Sequence, residues 1–256
     1  MSIFSVGGST SSDSAAESKS VRFDSATEGY LSRTFATAGN RKTWTFSCWA
    51  KRSGQGVAQT LFSANASNKL LLQFTATDDL LFNDDEASSN TLIRTNAKYR
   101  DPSAWYHIVA IYDSTQATAN DRMRLYVNGE QVTDMQSRTN PSQNADSQVN
   151  AATIHTVGAG ANDTTWMNGY MAETYFVAGS VVLPATFAET DSDTNQWKPK
   201  TAEDIKAAVT FGVNGFYLPF SNDVLATSFT DKAEGHAVVA NGNAHTDTSE
   251  KKFGTA

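Results

Sequence analysis

The acidic residues are the first place to look for chemistry. Glu189-Thr190-Asp191-Ser192-Asp193 sets three carboxylates at alternate positions, and alternation puts side chains on one face of a strand. Two carboxyl groups so placed can cleave a glycosidic bond, one attacking the sugar while the other protonates the leaving oxygen. Here the run lacks a final Glu, and its spacers are Thr and Ser rather than strand-forming apolar residues. It reads as a solvated turn. Glu173, in Met171-Ala-Glu-Thr-Tyr175, has no acid two positions away and reads as a rim residue or a paired acid at the edge of the core. No catalytic residue is assigned, and the chain is expected not to be an enzyme.

Binding chemistry has two candidate loops. Asp84, Asp85 and Glu86 form an acidic loop whose hard oxygens suit calcium, without the spacing of an EF-hand. No other cofactor is called for. Asn162-Asp163 precedes Trp166, and an indole beside amide and carboxylate oxygens is a glycan-binding pattern; the alternative for Trp166 is a tryptophan at the core's edge. His107, His155, His236 and His245 show no H-x-x-x-H spacing, and His107 reads as a satisfied core histidine. There is no G-x-S-x-G elbow, and Gly158-Ala-Gly160 lacks a third glycine and a following helix, which argues against serine hydrolase and nucleotide chemistry. Cys48 is the one cysteine, flanked by apolar positions, and reads as a small buried residue rather than a nucleophile.

Short alternating strands must position these loops. Trp105 to Val132 holds two apolar runs around a polar loop, and the second runs into Asn128-Gly129, the pair that supplies positive φ to a tight hairpin. Thr43 to Lys51 alternates Trp44, Phe46, Cys48 and Ala50 against Thr45, Ser47, Trp49 and Lys51, so the outward Trp49 covers a second layer or marks a contact surface. Further strands are expected at 60–63, 69–75, 79–82, 91–95, 153–157 and 167–177. Their number and turn signals predict an all-β, antiparallel two-sheet β-sandwich of the jelly-roll kind. Residues 1–19 read as a polar arm and 20–182 as the sandwich. Residues 183–256 read as an extension, with a helical turn at Pro184, a helix over 201–210 capped by Thr201, a strand over 213–220 and another near 236–240.

The chain has 256 residues and a formal charge of −7, with no cluster of Lys or Arg, so nucleic acid is not an expected partner. The first twenty residues lack the charged and apolar regions of a signal peptide, and no apolar run is long enough to insert in a membrane. A soluble protein made in the cytoplasm without disulfides is expected.

Several segments together resemble a known family. They are Tyr30-Leu-Ser-Arg-Thr34, Gly39-Asn-Arg-Lys-Thr-Trp-Thr-Phe46, Arg100-Asp-Pro-Ser-Ala-Trp-Tyr-His107, Asp121-Arg-Met-Arg-Leu-Tyr-Val-Asn-Gly129, Met167-Asn-Gly-Tyr-Met-Ala-Glu173 and Asn214-Gly-Phe-Tyr-Leu218. In this order they are similar to concanavalin A-like, laminin G-like (LamG) domains, in particular those of tailed bacteriophages. The resemblance implies a non-enzymatic virion structural protein: a capsid decoration, or a tail or fibre component. It implies other virion proteins as partners, release by lysis, and room for an oligomer. A host-receptor adhesin that binds surface glycans is the alternative, and a glycoside hydrolase comes third. The C-terminal part departs from the family, because 221–231 matches its Asp-Ser-Ser-Gly-Asn-Gly run only loosely. His245 to Ala256 resembles the lead-in at Glu17 to Asp24, so it either opens a second copy or folds back as an edge strand.

Overall fold

Residues 19–65, 67, 70–85, 91–220, 230–241 and 245–247 are described by a computed structural model of the chain. Two antiparallel sheets form a sandwich. Sheet A runs in the order β10 (Glu130–Gln131), β9 (Met123–Val127), β8 (Tyr106–Asp113), β3 (Thr43–Arg52), β13 (Gly169–Ala178), β1 (Ser20–Phe23) and β18 (His245–Asp247), with β16 (Phe216–Leu218) also paired to β13. Sheet B runs β11 (Met135–Thr139), β7 (Thr91–Thr95), β6 (Leu80–Asp84), β5 (Leu70–Phe74), β4 (Gln59–Ala64), β12 (Ile154–Val157), β2 (Tyr30–Thr34) and β17 (Val239–Asn241). Outside them lie the hairpin of β14 (Ala188–Thr190) and β15 (Trp197–Pro199), and two helices, α1 (Pro184–Phe187) and α2 (Ala202–Ala208).

The alternation in β3 explains the layers. Trp44, Phe46, Cys48 and Ala50 point between the sheets, where Phe176 meets Phe62, Phe216 and Phe35 with ring centroids 5.8, 5.6 and 6.1 Å apart. The opposite residues are buried too. Residues 181–211 lay a third layer on the outer face of sheet A, where Phe187, Ile205, Val209 and Phe211 pack on Val109, Ile111, Tyr175 and Val177. Two buried faces account for the unbroken apolar run of β8.

The Asn128-Gly129 turn has φ values of 50° and 86° and joins β9 to β10 as a two-residue hairpin. In β13 the register against β3 shifts between Ala172 and Tyr175, so Glu173 and Thr174 share the place opposite Cys48. This is a β-bulge, and Glu173 occupies it with φ of 43°.

The expected helix over 201–210 spans 202–208, with the Thr201 hydroxyl accepting from the Asp204 amide. The strand expected over 213–220 is confined to 216–218, because a turn closed by Gly215 N–H donating to the Gly212 carbonyl takes up the preceding residues. The strand placed at 236–240 begins at Val239. His245–Asp247 pairs with β1, so these residues fold back as an edge strand. The arm over 1–18, Glu86 and the tail over 248–256 lie outside the described residues.

Candidate functional site

The structure keeps two of the acids together, because Lys198 Nζ lies 3.9 Å from Glu189 Oε1 and 2.7 Å from Asp191 Oδ2. Glu189 and Asp191 lie on the β14–β15 hairpin, a two-stranded sheet of its own. Asp191 Oδ1 accepts from the amides of Asp193 and Thr194 at 3.0 and 2.8 Å, and its Oδ2 pairs with Lys198 Nζ at 2.7 Å. The Lys198 ammonium and these hydrogen bonds hold the Asp191 carboxyl well below the usual carboxylate range. Asp191 thus closes a turn.

Glu173 is not a rim residue. It is 5% exposed, because β16 and the third layer cover its face of sheet A. Its Oε2 accepts from the hydroxyls of Tyr175 and Tyr217, whose rings stack in parallel 4.3 Å apart. Burial, and then the Glu173 charge, push both phenols far above their ordinary values. Glu173 and the two tyrosines thus form one buried hydrogen-bonded network.

The calcium loop is also altered by burial. Asp84 ends β6 facing inward, 2% exposed, with Oδ1 accepting from the Gln148 amide at 3.2 Å. Among the described residues, no three His, Cys, Asp or Glu side chains converge as a metal site. By strand direction this loop lies at the opposite end of the sandwich from 158–168.

The 158–168 segment, between β12 and β13, carries the sequence's glycan candidates. Asn162 Oδ1 accepts from the Thr164 hydroxyl. Asp163 bonds Tyr30, whose phenol is pushed up to about 12 by burial and by that carboxylate. Trp166 is half-buried, with its indole N–H inside the protein and no acceptor there. The three residues are thus engaged in different directions. Thr165, β-branched with φ of 53°, is held in the left-handed region by its carbonyl and hydroxyl contacts to Thr60 at 2.8 and 2.7 Å.

The densest constellation lies elsewhere, on the outer face of sheet A. His107 is fully buried and stacks on Trp49 at 4.9 Å. Its Nε2 lies 2.9 Å from the Ser47 hydroxyl, and its Nδ1 accepts from the Trp197 indole N–H at 3.0 Å. An indole N–H can only donate, so Nδ1 is unprotonated and the neutral ring carries its proton on Nε2, toward Ser47. Burial pushes His107 down to about 3. The pair therefore looks like a Ser–His dyad but is wired in reverse, because the nitrogen facing Ser47 is already protonated and cannot act as its base. Trp105 and Trp197, both half-buried, pack with Trp49, Ala172 and Ala188 into one cluster.

Comparison with known proteins accounts for this architecture. The family described as the "Concanavalin A-like lectin/glucanases superfamily", of laminin G type, matches residues 24–180, more than half of the chain. The chain belongs to this superfamily. Two solved superfamily-like folds cover 90% of the chain: a heptameric SAP-like pentraxin from Limulus polyphemus, with 13% identity, a TM-score of 0.51 and 94% of its own length covered, and a putative carbohydrate binding protein from Bacteroides ovatus, with 12% identity, a TM-score of 0.54 and 59% of its length covered. Identity this low speaks for the fold alone. A search of curated protein sequences returns no match. Within the superfamily fold, parity along β3 and β8 foretells that Trp49, Trp105 and His107 share a face. Nothing local foretells Trp197, ninety residues on from His107.

Proposed function

We propose that this LamG-type chain is a non-catalytic structural module of a tailed-bacteriophage virion, a decoration, tail or fibre component made in the host cytoplasm. The motif set from Tyr30 to Leu218 supports the phage setting. The observation that carries the non-catalytic part is the third layer: residues 181–211 pack a second apolar core onto the outer face of sheet A, over Val109, Ile111, Tyr175 and Val177 of its central strands. Its partners are other virion proteins. Mass spectrometry of purified particles tests this reading, with the chain expected at many copies per virion; its absence from washed particles contradicts the proposal. Deleting residues 1–19 is expected to lower incorporation several-fold while leaving the melting temperature unchanged, because the core formed by the described residues begins at Val21.

One observation favours a second reading, glycan binding. Three of the five tryptophans gather in one cluster on the outer face of sheet A, and two of them remain half-exposed. Retention of the intact protein on a glycan array tests that class of function, and a blank array excludes it.

A further inference from the structure

We infer that Trp105 and Trp197 form a stacking platform for a neutral sugar ring. This rests on the glycan-binding reading and gives it a location, away from the 158–168 loop. The platform is built from below. Trp49 is 3% exposed and lies under the cluster, stacked on His107. Trp197 is fixed by its N–H bond to His107 and by the hairpin tip, where a Cβ on Gly129 would come within 3.0 Å of the indole. Lys51 lies over the Tyr170 ring, its ammonium 5.9 Å from the centroid, so that aromatic face is already covered and the platform is the two indoles. Aromatic faces held this way lose little conformational entropy on binding.

The surroundings select the ligand. Both donors and acceptors border the cluster: Lys51 interacts with Asp101, and Lys198 bridges Glu189 and Asp191 on the β14–β15 hairpin, next to Trp197. Mixed charges suit the hydroxyls of an uncharged saccharide and offer no single-sign field for nucleic acid or a charged peptide. Size points the same way. Two partly buried indoles leave on the order of 100–200 Å² open, against roughly 800 Å² per partner for a stable protein interface.

The test is the array of neutral hexose oligosaccharides, probed with the full chain and three variants. Trp105→Ala is expected to weaken retention at least about tenfold, the size of one lost stacking contact, Trp105→Phe to restore most of it, and Trp166→Ala to leave it unchanged. A second measurement needs no variant. Oxidation of the wild-type protein by N-bromosuccinimide, mapped on peptides, should be slowed at Trp105 and Trp197 by the retained oligosaccharide, and not at Trp166. Retention that survives Trp105→Ala, or protection confined to Trp166, overturns the platform and leaves glycan binding standing. A blank array overturns both. A concentration-dependent dimer abolished by Trp105→Ala, without sugar retention, would assign the patch to a second copy and also overturn the proposal.

Discussion

Lowering the pH from about 6.5 to about 4.5 is expected to remove on the order of 5 kcal/mol of folding stability, most of it above the range where carboxylates titrate. The cause is a pair of buried neutral histidines with opposite tautomers. His107 accepts at Nδ1 from Trp197, whereas His155 accepts at Nε2 from the Asn150 amide at 3.1 Å, which leaves its Nδ1 to donate to the Thr153 carbonyl at 3.0 Å. In each ring the second proton would face an N–H donor. Burial lowers both groups to about 3. The unfolded chain protonates its histidines near pH 6.5 and the folded chain does not, so the unfolded state binds more protons across the window between. Stability is complete above the unfolded value and falls with pH down to the folded one. Each histidine contributes about 1.4 kcal/mol per pH unit, so two give nearly 3 kcal/mol per unit. Chemical denaturation at a series of pH values measures the slope. His155→Gln should halve it, and a flat profile from pH 7 to 5 would contradict the assignment.

Asp79→Ala is expected to cost about 3–5 kcal/mol, the range for removing one side of a buried ion pair. This carboxylate is fully buried. Its Oδ1 accepts from Arg94 Nε at 2.8 Å and the Thr75 hydroxyl at 2.9 Å, and its Oδ2 from Lys98 Nζ and the Thr77 hydroxyl, both at 2.6 Å. Burial alone would raise it, but the bonds from Arg94, Lys98, Thr77 and Thr75 outweigh that and hold it well below the ordinary carboxylate range. Without it, two hydroxyls and two cations at the turn between β5 and β6 lose their common acceptor. The cations are each about a third exposed and can turn to water, so the low end of the range is the better expectation. That corresponds to a fall of about 10 °C in melting temperature. A loss below about 1 kcal/mol would mean that the network is replaceable by solvent.

What the sequence made legible was local. The parity of Thr43 to Lys51, the Asn128-Gly129 turn and the Thr201 cap each depend on backbone geometry within a few residues, and each is present in the structure. The strand β11 was not legible, because Met135-Gln-Ser-Arg-Thr139 is a largely exposed edge with no apolar face to betray it. The site was harder to see than the fold. Glu173 reads as a rim residue or a paired acid at the core's edge, and only β16, more than forty residues later, decides for the paired acid. Asp78-Asp79 looks like an ordinary polar turn until Arg52, Arg94, Lys98 and Arg100 arrive from other strands. His107 reads correctly as a satisfied core residue, but the partner that sets its tautomer comes from the third layer. These contacts follow from the assembly of distant strands, which has no local signature.

The pairing of β18 with β1 sets Asp247 opposite Ser20 and His245 opposite Arg22. An antiparallel register of this kind leaves a gap between Asp247 and Ser20 that a tight hairpin turn can span. Joined there, the described strands would follow one another in a closed circuit. A chain rejoined from Asp247 to Ser20 and opened instead in the exposed 115–120 segment between β8 and β9 would keep every described strand pair, making this fold a natural host for circular permutation.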